Sequence, residues 1–444
     1  MRILIVFFKV INYNICMRKT GFIFALISFF MILPQFLRSN IYNLEIKGPI
    51  DSISEEYIID SFKKITEFGN GELIIISIDT PGGFSTSMRT IIKTIMNSNI
   101  PVAVYVSPSG ARAASAGFLI TISAHIAVMA PGTNMGAAHP VSVMGKQIDE
   151  VMKQKITNDA VSYIRSIAKS RGRNTDLSEK AVRDSSSFTA EECLNGNLID
   201  MVAENIEEIL NKVNGMEIVL SDGVKSVLKI TDKKINQIRM TMRQRFLRTI
   251  TNPNLAYFLL IIGLAGLYIE FTHPGVIIPG VLGGIALLLA FLAFQILPVN
   301  YIGLFLILLS IGFFIAEIKI QGFGIFGIGG IISFVLGSIM LLNSPIPELR
   351  PALTTIITAS AVFGIIFLFL AYKVISISSK RSETGAEGMI GTKGRSRSAV
   401  NQSSGKVFIK GEIWNAVSDE LIKSGEVVEI LSVDNLILRV KKGE

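Results

Sequence analysis

The chain has 444 residues, half of them apolar, and a formal net charge of +8. So large an apolar share, collected near the N-terminus and between residues 255 and 374, excludes an ordinary soluble protein and points to a membrane protein with water-soluble parts. Two distant cysteines, Cys16 and Cys193, and three histidines exclude a disulfide framework and a histidine-rich metal site. The basic residues cluster beside apolar segments, which suits anionic lipid headgroups and not nucleic acid.

In chain order, residues 1–39 form an N-terminal extension and a secretory signal or uncleaved anchor: Arg18-Lys19, then an apolar run over 21–33. Residues 1–16 read as an upstream extension, with Met17 as an alternative start. The chain beyond the signal would be translocated. Over 40–222, apolar runs of strand length alternate with amphipathic stretches, the pattern of an α/β layer fold. Strands are expected over 42–46, 73–78, 102–106 and 126–129. Helices are expected over 54–68, with Ser54 as N-cap, and over 86–96.

Within this region Ala113-Ala114-Ser115-Ala116-Gly117 follows the apolar run 101–106. A serine among side chains too small to shield it, at the mouth of a helix, is a candidate nucleophile. Asp79-Thr80-Pro81-Gly82-Gly83 directly follows an expected strand, and a turn ending in two glycines exposes backbone N–H groups of the kind an oxyanion needs. Both motifs fall at strand C-terminal ends, where open α/β sheets bind ligands.

A base is also required. His125 sits in a strand-like run and is expected to pack, and His139 lies in a loop with no acid placed to orient it. The other route is a lysine made neutral by desolvation. Lys146, Lys153 and Lys155 are all available, and spacing does not choose among them.

These motifs, together with Met129-Ala130-Pro131-Gly132-Thr133-Asn134-Met135-Gly136-Ala137-Ala138-His139-Pro140, Lys155-Ile156-Thr157-Asn158-Asp159 and the segment 187–200, resemble the long form of the NfeD family. Those are membrane-bound serine peptidases of the ClpP and signal-peptide-peptidase class. The resemblance implies an α/β ClpP/crotonase-like peptidase domain. It further implies Ser115 as nucleophile, Lys155 as general base, and the N–H groups of Gly83 and Ala116 as the oxyanion hole. No metal or cofactor is needed. Implied partners are a peptide or protein with apolar segments, a stomatin- or prohibitin-like membrane protein, and further copies of the chain in a homo-oligomer. Phe118 replaces what is often a smaller or polar residue, which would narrow the substrate pocket. Two rival readings are a non-catalytic scaffold organising stomatin-like partners, and an acyl-CoA enzyme of the crotonase class. Intact Ser115 and Lys155 weigh against the first, and the lack of CoA outside the cytoplasm weighs against the second.

Residues 223–254 read as a basic connector at the membrane surface, with Lys233, Lys234, Arg239, Arg243, Arg245 and Arg248. Five spans are expected over 255–271, 276–297, 301–318, 323–342 and 354–372, within a transmembrane domain of 255–374. Recurrent glycines there permit close helix contact, and Glu270 and Glu317 fall near span ends. With the peptidase outside, five crossings put the C-terminus in the cytoplasm, in accord with the basic residues after the last span. A flexible linker over 375–400 leads to a small β-barrel over 401–444. Gly411-Glu412-Ile413-Trp414-Asn415-Ala416 and Ile422-Lys423-Ser424-Gly425-Glu426-Val427-Val428 resemble the OB-fold that ends NfeD-family chains, and a single tryptophan with few other aromatics suits protein interaction better than nucleic-acid binding.

Overall fold

The computed structural model describes residues 41–69, 71–141, 149–220, 223, 225–231, 233–272, 275, 277–320, 324–378 and 388–443. The expected signal segment and Lys146 lie outside the described residues. The chain forms two units, one comprising Met1–Leu308 with Ser333–Thr358 and the other Leu309–Ile332 with Ala359–Glu444.

In the first unit, six parallel strands form one sheet in the order β11-β1-β2-β3-β5-β8. They are β1 (Ile41–Lys47), β2 (Leu73–Asp79), β3 (Val102–Val106), β5 (Ile126–Met129), β8 (Met201–Val202) and β11 (Ile235–Gln237). The central strands are near-continuous apolar runs because the sheet is covered on both faces. Ile74, Ile76 and Ile78 of β2 pack into one core, and Leu73 and Ile75 into the other. The first core is closed by α1 (Ser52–Phe68), α2 (Ser85–Met96), α3 (Ala116–Ser123), α4 (Glu150–Ser170) and α5 (Thr175–Arg183). The second is closed by α7 (Ile206–Val213), which follows α6 (Ala190–Asn195) in sequence.

Asp51, and not Ser54, caps α1: its carboxylate accepts from the Ser54 N–H at 2.9 Å, while Ser54 answers from the third helical position in a capping box. A second small sheet, β4-β6-β7, joins β4 (Arg112–Ala114), β6 (Asn134–Gly136) and β7 (Ser187–Thr189). A bridge between Thr80 and Ala113 ties it to the end of β2.

The connector is structured. A short hairpin, β9 (Glu217–Val219) with β10 (Lys225–Val227), precedes β11, which extends the six-stranded sheet beside β1 to Gln237. The helix α8 (Met242–Ile250) then docks on α1. Arg243 pairs with Glu56, and the buried Gln244 donates to Glu56 and Asp60, each at 3.1 Å. Arg248 reaches Asp51 at 2.7 Å. The Arg243 guanidinium holds the Glu56 carboxyl below its ordinary range. Three of the polar side chains of this stretch are therefore directed at α1.

The five expected spans correspond to five helices: α9 (Pro253–Thr272), α10 (Ile277–Phe294), α11 (Tyr301–Ile320), α12 (Ile325–Leu341) and α13 (Leu353–Ser378). Among the described residues, α9 and α10 are long and apolar enough to cross a bilayer by length and composition alone. Glycines set their contact, as expected: a Cβ on Gly266 would lie 2.8 Å from Gly283 Cα. Tyr257 of α9 donates to Ser338 of α12 at 2.8 Å.

In the second unit, Glu317 caps the next helix. Its two oxygens accept from the N–H groups of Gly324 (2.7 Å) and Gly327 (3.1 Å) at the start of α12. The C-terminal part is a closed five-stranded barrel, β12-β13-β14-β16-β15. Its strands are β12 (Lys393–Ser396), β13 (Lys406–Ile409), β14 (Glu412–Val417), β15 (Val427–Asp434) and β16 (Ile437–Lys442). Because β12 closes the barrel, residues 393–396 belong to it and not to a linker. Val400, Val407, Ile409, Val428, Leu438 and Val440 fill its interior.

Candidate active site

Ser115 lies between β4 and α3, where the chain turns sharply. It has φ 52° and ψ −113°, a region that costs a residue with a Cβ about 1–3 kcal/mol, yet the surrounding bonds hold it there. Its N–H donates to the Gly136 carbonyl at 2.8 Å, and its carbonyl accepts from Phe118 N–H at 3.0 Å. Ser115 is half-buried, and its hydroxyl makes no capping bond to the helix.

The turn after β2 is laced to the same strand. Thr80 N–H donates to Arg112 O at 2.8 Å, Ala114 N–H to Thr80 O at 3.0 Å, and the Arg112 N–H to the Asp79 carboxylate at 3.2 Å. Gly82, at φ 113°, lies directly against the serine; a Cβ there would come within 2.7 Å of Ser115 Cβ. Only glycine satisfies both the backbone and the space. Small residues are needed on the helix for the same reason, since a Cβ on Gly117 would run into the Thr80 methyl.

Two backbone donors remain. Gly82 O accepts from Ile50 N–H and Phe84 N–H donates to Ile50 O, both at 2.8 Å, so the intervening Gly83 turns its own N–H to the opposite side. Ala116 N–H stands at the first position of α3, beyond the reach of any intrahelical acceptor. Among the described residues neither N–H has a hydrogen-bond partner. Gly82 and Gly83 follow the C-terminal end of β2, and Ser115 and Ala116 follow β4, which is bridged to that end through Thr80 and Ala113.

The candidate bases fare differently. His125 is buried with its Nδ1 accepting from Val102 N–H at 3.3 Å, and burial, with Arg171 and Arg173 nearby, pushes its pKa down to about 3. It is a neutral core residue, as expected. His139 Nδ1 is 3.0 Å from the Val182 carbonyl. Lys153 is exposed and pairs with Glu150 at 3.7 Å. Lys155 is exposed on α4 and makes no ion pair among the described residues. Around it Val151, Met152 and Ile156 are exposed as well.

Phe118 is fully buried in the core, as is every residue of α3. Cys193 is likewise a core residue, its thiol pushed up to about 12 chiefly by burial. Sequence reasoning missed Arg171 and Arg173, whose guanidinium groups bind the C-terminal carbonyls of α3; arginines following a helix carry no signal that separates them from solvated ones.

A parallel sheet with a serine at such a turn, followed by membrane helices and a closed barrel, defines a membrane protein with a ClpP-like peptidase domain. Three family models cover it in order: the NfeD1b N-terminal domain over 40–237, the NfeD integral membrane domain over 254–373, and the NfeD-like C-terminal, partner-binding domain over 386–442. The membrane-bound protease PH1510 of Pyrococcus horikoshii is 36% identical over 426 residues, 93% of this chain and 95% of that protein. The chain belongs to the NfeD family. The membrane protein NfeD1b of Bacillus subtilis is 29% identical over 266 residues, 59% of this chain and 58% of that one. Among solved structures, a lysine-to-alanine variant of the 1510-N membrane-bound stomatin-specific protease with a substrate peptide is 34% identical, with TM-score 0.45, covering 48% of this chain and 98% of that one.

Proposed function

We propose that the chain is a membrane-anchored serine endopeptidase. Ser115 Oγ attacks the peptide carbonyl, and Lys155, in its neutral form, takes the hydroxyl proton. The N–H groups of Gly83 and Ala116 receive the developing oxyanion. The amine leaves with the proton returned by Lys155, and water then hydrolyses the acyl-enzyme by the same route in reverse. The observation that carries the reading is the strained Ser115 backbone, flanked by two N–H groups without partners among the described residues. A scaffold has no use for that combination.

An exposed lysine must be covered before its amine can act as a base near neutral pH. Bound peptide and a second copy of the chain, laid over the apolar side chains around Lys155, supply that cover in this reading; the homo-oligomer is then part of the active site. The substrates are apolar segments of membrane-associated proteins of the stomatin or prohibitin type, by analogy with the relative described as stomatin-specific. The peptidase domain stands outside the cytoplasm and the C-terminal barrel inside it. Cleavage of an unstructured apolar peptide by the full chain in detergent tests the reading. Activity should vanish in Ser115→Ala and Lys155→Ala and persist in Lys153→Ala. Equal losses at the two lysines would mean that the base is misassigned.

A further inference from the structure

Helix α3 carries Ser115 at one end and meets two arginines at the other. Its last carbonyls lack intrahelical partners, as in any helix, and side chains satisfy them. Arg173 Nε donates to Ile122 O at 3.1 Å and its Nη2 to Ala124 O at 3.2 Å, while Arg171 Nε donates to Ser123 O at 2.9 Å. Arg173 continues outward. Nη1 donates to Leu198 O at 3.0 Å and Nη2 to Asp200 Oδ2 at 2.8 Å, with the guanidinium side chain only 3% exposed. Asp200 Oδ2 also accepts from the Ala127 N–H of β5 at 2.6 Å, and its own N–H donates to Ala127 O at 2.9 Å. One buried arginine therefore pins the tail of α3 to the segment that leads into β8 and, through Asp200, to β5.

As a source of stability this is a poor device, because desolvating the pair offsets most of its attraction and apolar residues would serve as well. What it fixes is position. The helix is eight residues, about 12 Å long, and at its head Ser115 holds a backbone conformation that persists only where the surroundings over-determine it.

We propose that Arg173, locked by Asp200, is a positioning residue for Ser115. It sets the tilt and depth of α3, and through them the hydroxyl and the Ala116 N–H. The proposal rests on the reading of Ser115 as nucleophile.

The test uses the full chain in detergent micelles, comparing the parent, Ser115→Ala, Arg173→Lys and, as a milder variant, Asp200→Asn. A fluorophosphonate probe reports the serine directly: the oxygen bonds phosphorus, and fluoride and the serine proton leave. In Arg173→Lys the fraction of molecules that can be labelled should match the parent, and KM for an apolar peptide should stay within about twofold. The labelling rate and kcat should both fall on the order of 10²-fold, the cost of a misplaced reacting group. Amide exchange over residues 115–119 should quicken. Asp200→Asn should shift the same quantities in the same direction by less, and in a further variant, Arg173→Ala, added guanidinium should recover part of the rate. A smaller labelled fraction with an unchanged rate per active molecule would reduce Arg173 to a stability element and overturn the proposal, as would unchanged exchange over 115–119. If the parent itself resists labelling while exchange still quickens in Arg173→Lys, the brace exists but Ser115 is no nucleophile; the serine reading fails, and the positioning role of Arg173 fails with it.

Discussion

Replacing Ser115 by glycine should remove activity and stabilise the peptidase domain. At φ 52° and ψ −113° a residue with a Cβ is held at a cost of about 1–3 kcal/mol, and glycine adopts that conformation freely. Against this stands the greater freedom of glycine in the unfolded chain, about 0.5–1 kcal/mol. The net gain is about 1 kcal/mol, or about 2–4 °C for a domain of this size. Ser115→Ala is the proper reference, since it loses the same hydroxyl but keeps the Cβ and the strain. The readout must be specific to the domain. The single tryptophan, Trp414, lies in the barrel strand β14 and reports the wrong unit. Cys193 serves instead, because it is wholly buried in the peptidase core and its thiol is held in the unreactive form. In a Cys16→Ser background, labelling of Cys193 under mild denaturant measures opening of this domain alone. If Ser115→Gly opens as readily as Ser115→Ala, or more readily, the backbone at Ser115 is not strained and the argument from strain to function is lost.

Gly82→Ala should leave the fold largely intact and lower kcat by on the order of 10²-fold, because its Cβ would press within 2.7 Å of Ser115 Cβ and displace the nucleophile; full activity in a peptide assay would contradict the geometry. His125 gives the domain a pH dependence. With its folded pKa lowered from 6.5 to about 3, the unfolded chain binds the extra proton between those values, so stability is complete above about pH 6.5 and falls as the pH drops towards 3. The slope should approach about 1.4 kcal/mol per pH unit, and Cys193 labelling of His125→Gln should show it flattened across that window. For topology, protease added outside intact cells should spare the barrel, and its digestion there would reverse the assigned orientation.

The central strands were legible because burial on both sheet faces leaves an unbroken apolar run, as in Leu73–Asp79. The three-residue strands β4, β6 and β7 are too short for any period to register, although they form the shelf that holds Ser115. The edge strand β11 is exposed throughout and polar at two of its three positions, so it passes in sequence for connector. At the candidate site, small residues betray Ser115, and glycines betray the turn at Gly82 and Gly83. The strain does not show, because φ is set by bonds from Gly136 and Phe118 that sequence neighbours do not specify. Nor does the burial of Phe118, which follows from α3 being enclosed on all sides.

The docking of α8 has a mechanical consequence. The helix is fastened to α1 through Arg243, Gln244 and Arg248, and only Thr251 and Asn252 separate its end from the first membrane helix. Two residues reach at most about 7 Å. In the proposed reading the peptidase domain is therefore mounted on the bilayer and not tethered to it, and Ser115 would work at one fixed altitude. Such an enzyme would measure as it selects. A peptide bond carried at that height above the membrane comes into register, and the same bond one helical turn higher or lower passes out of range.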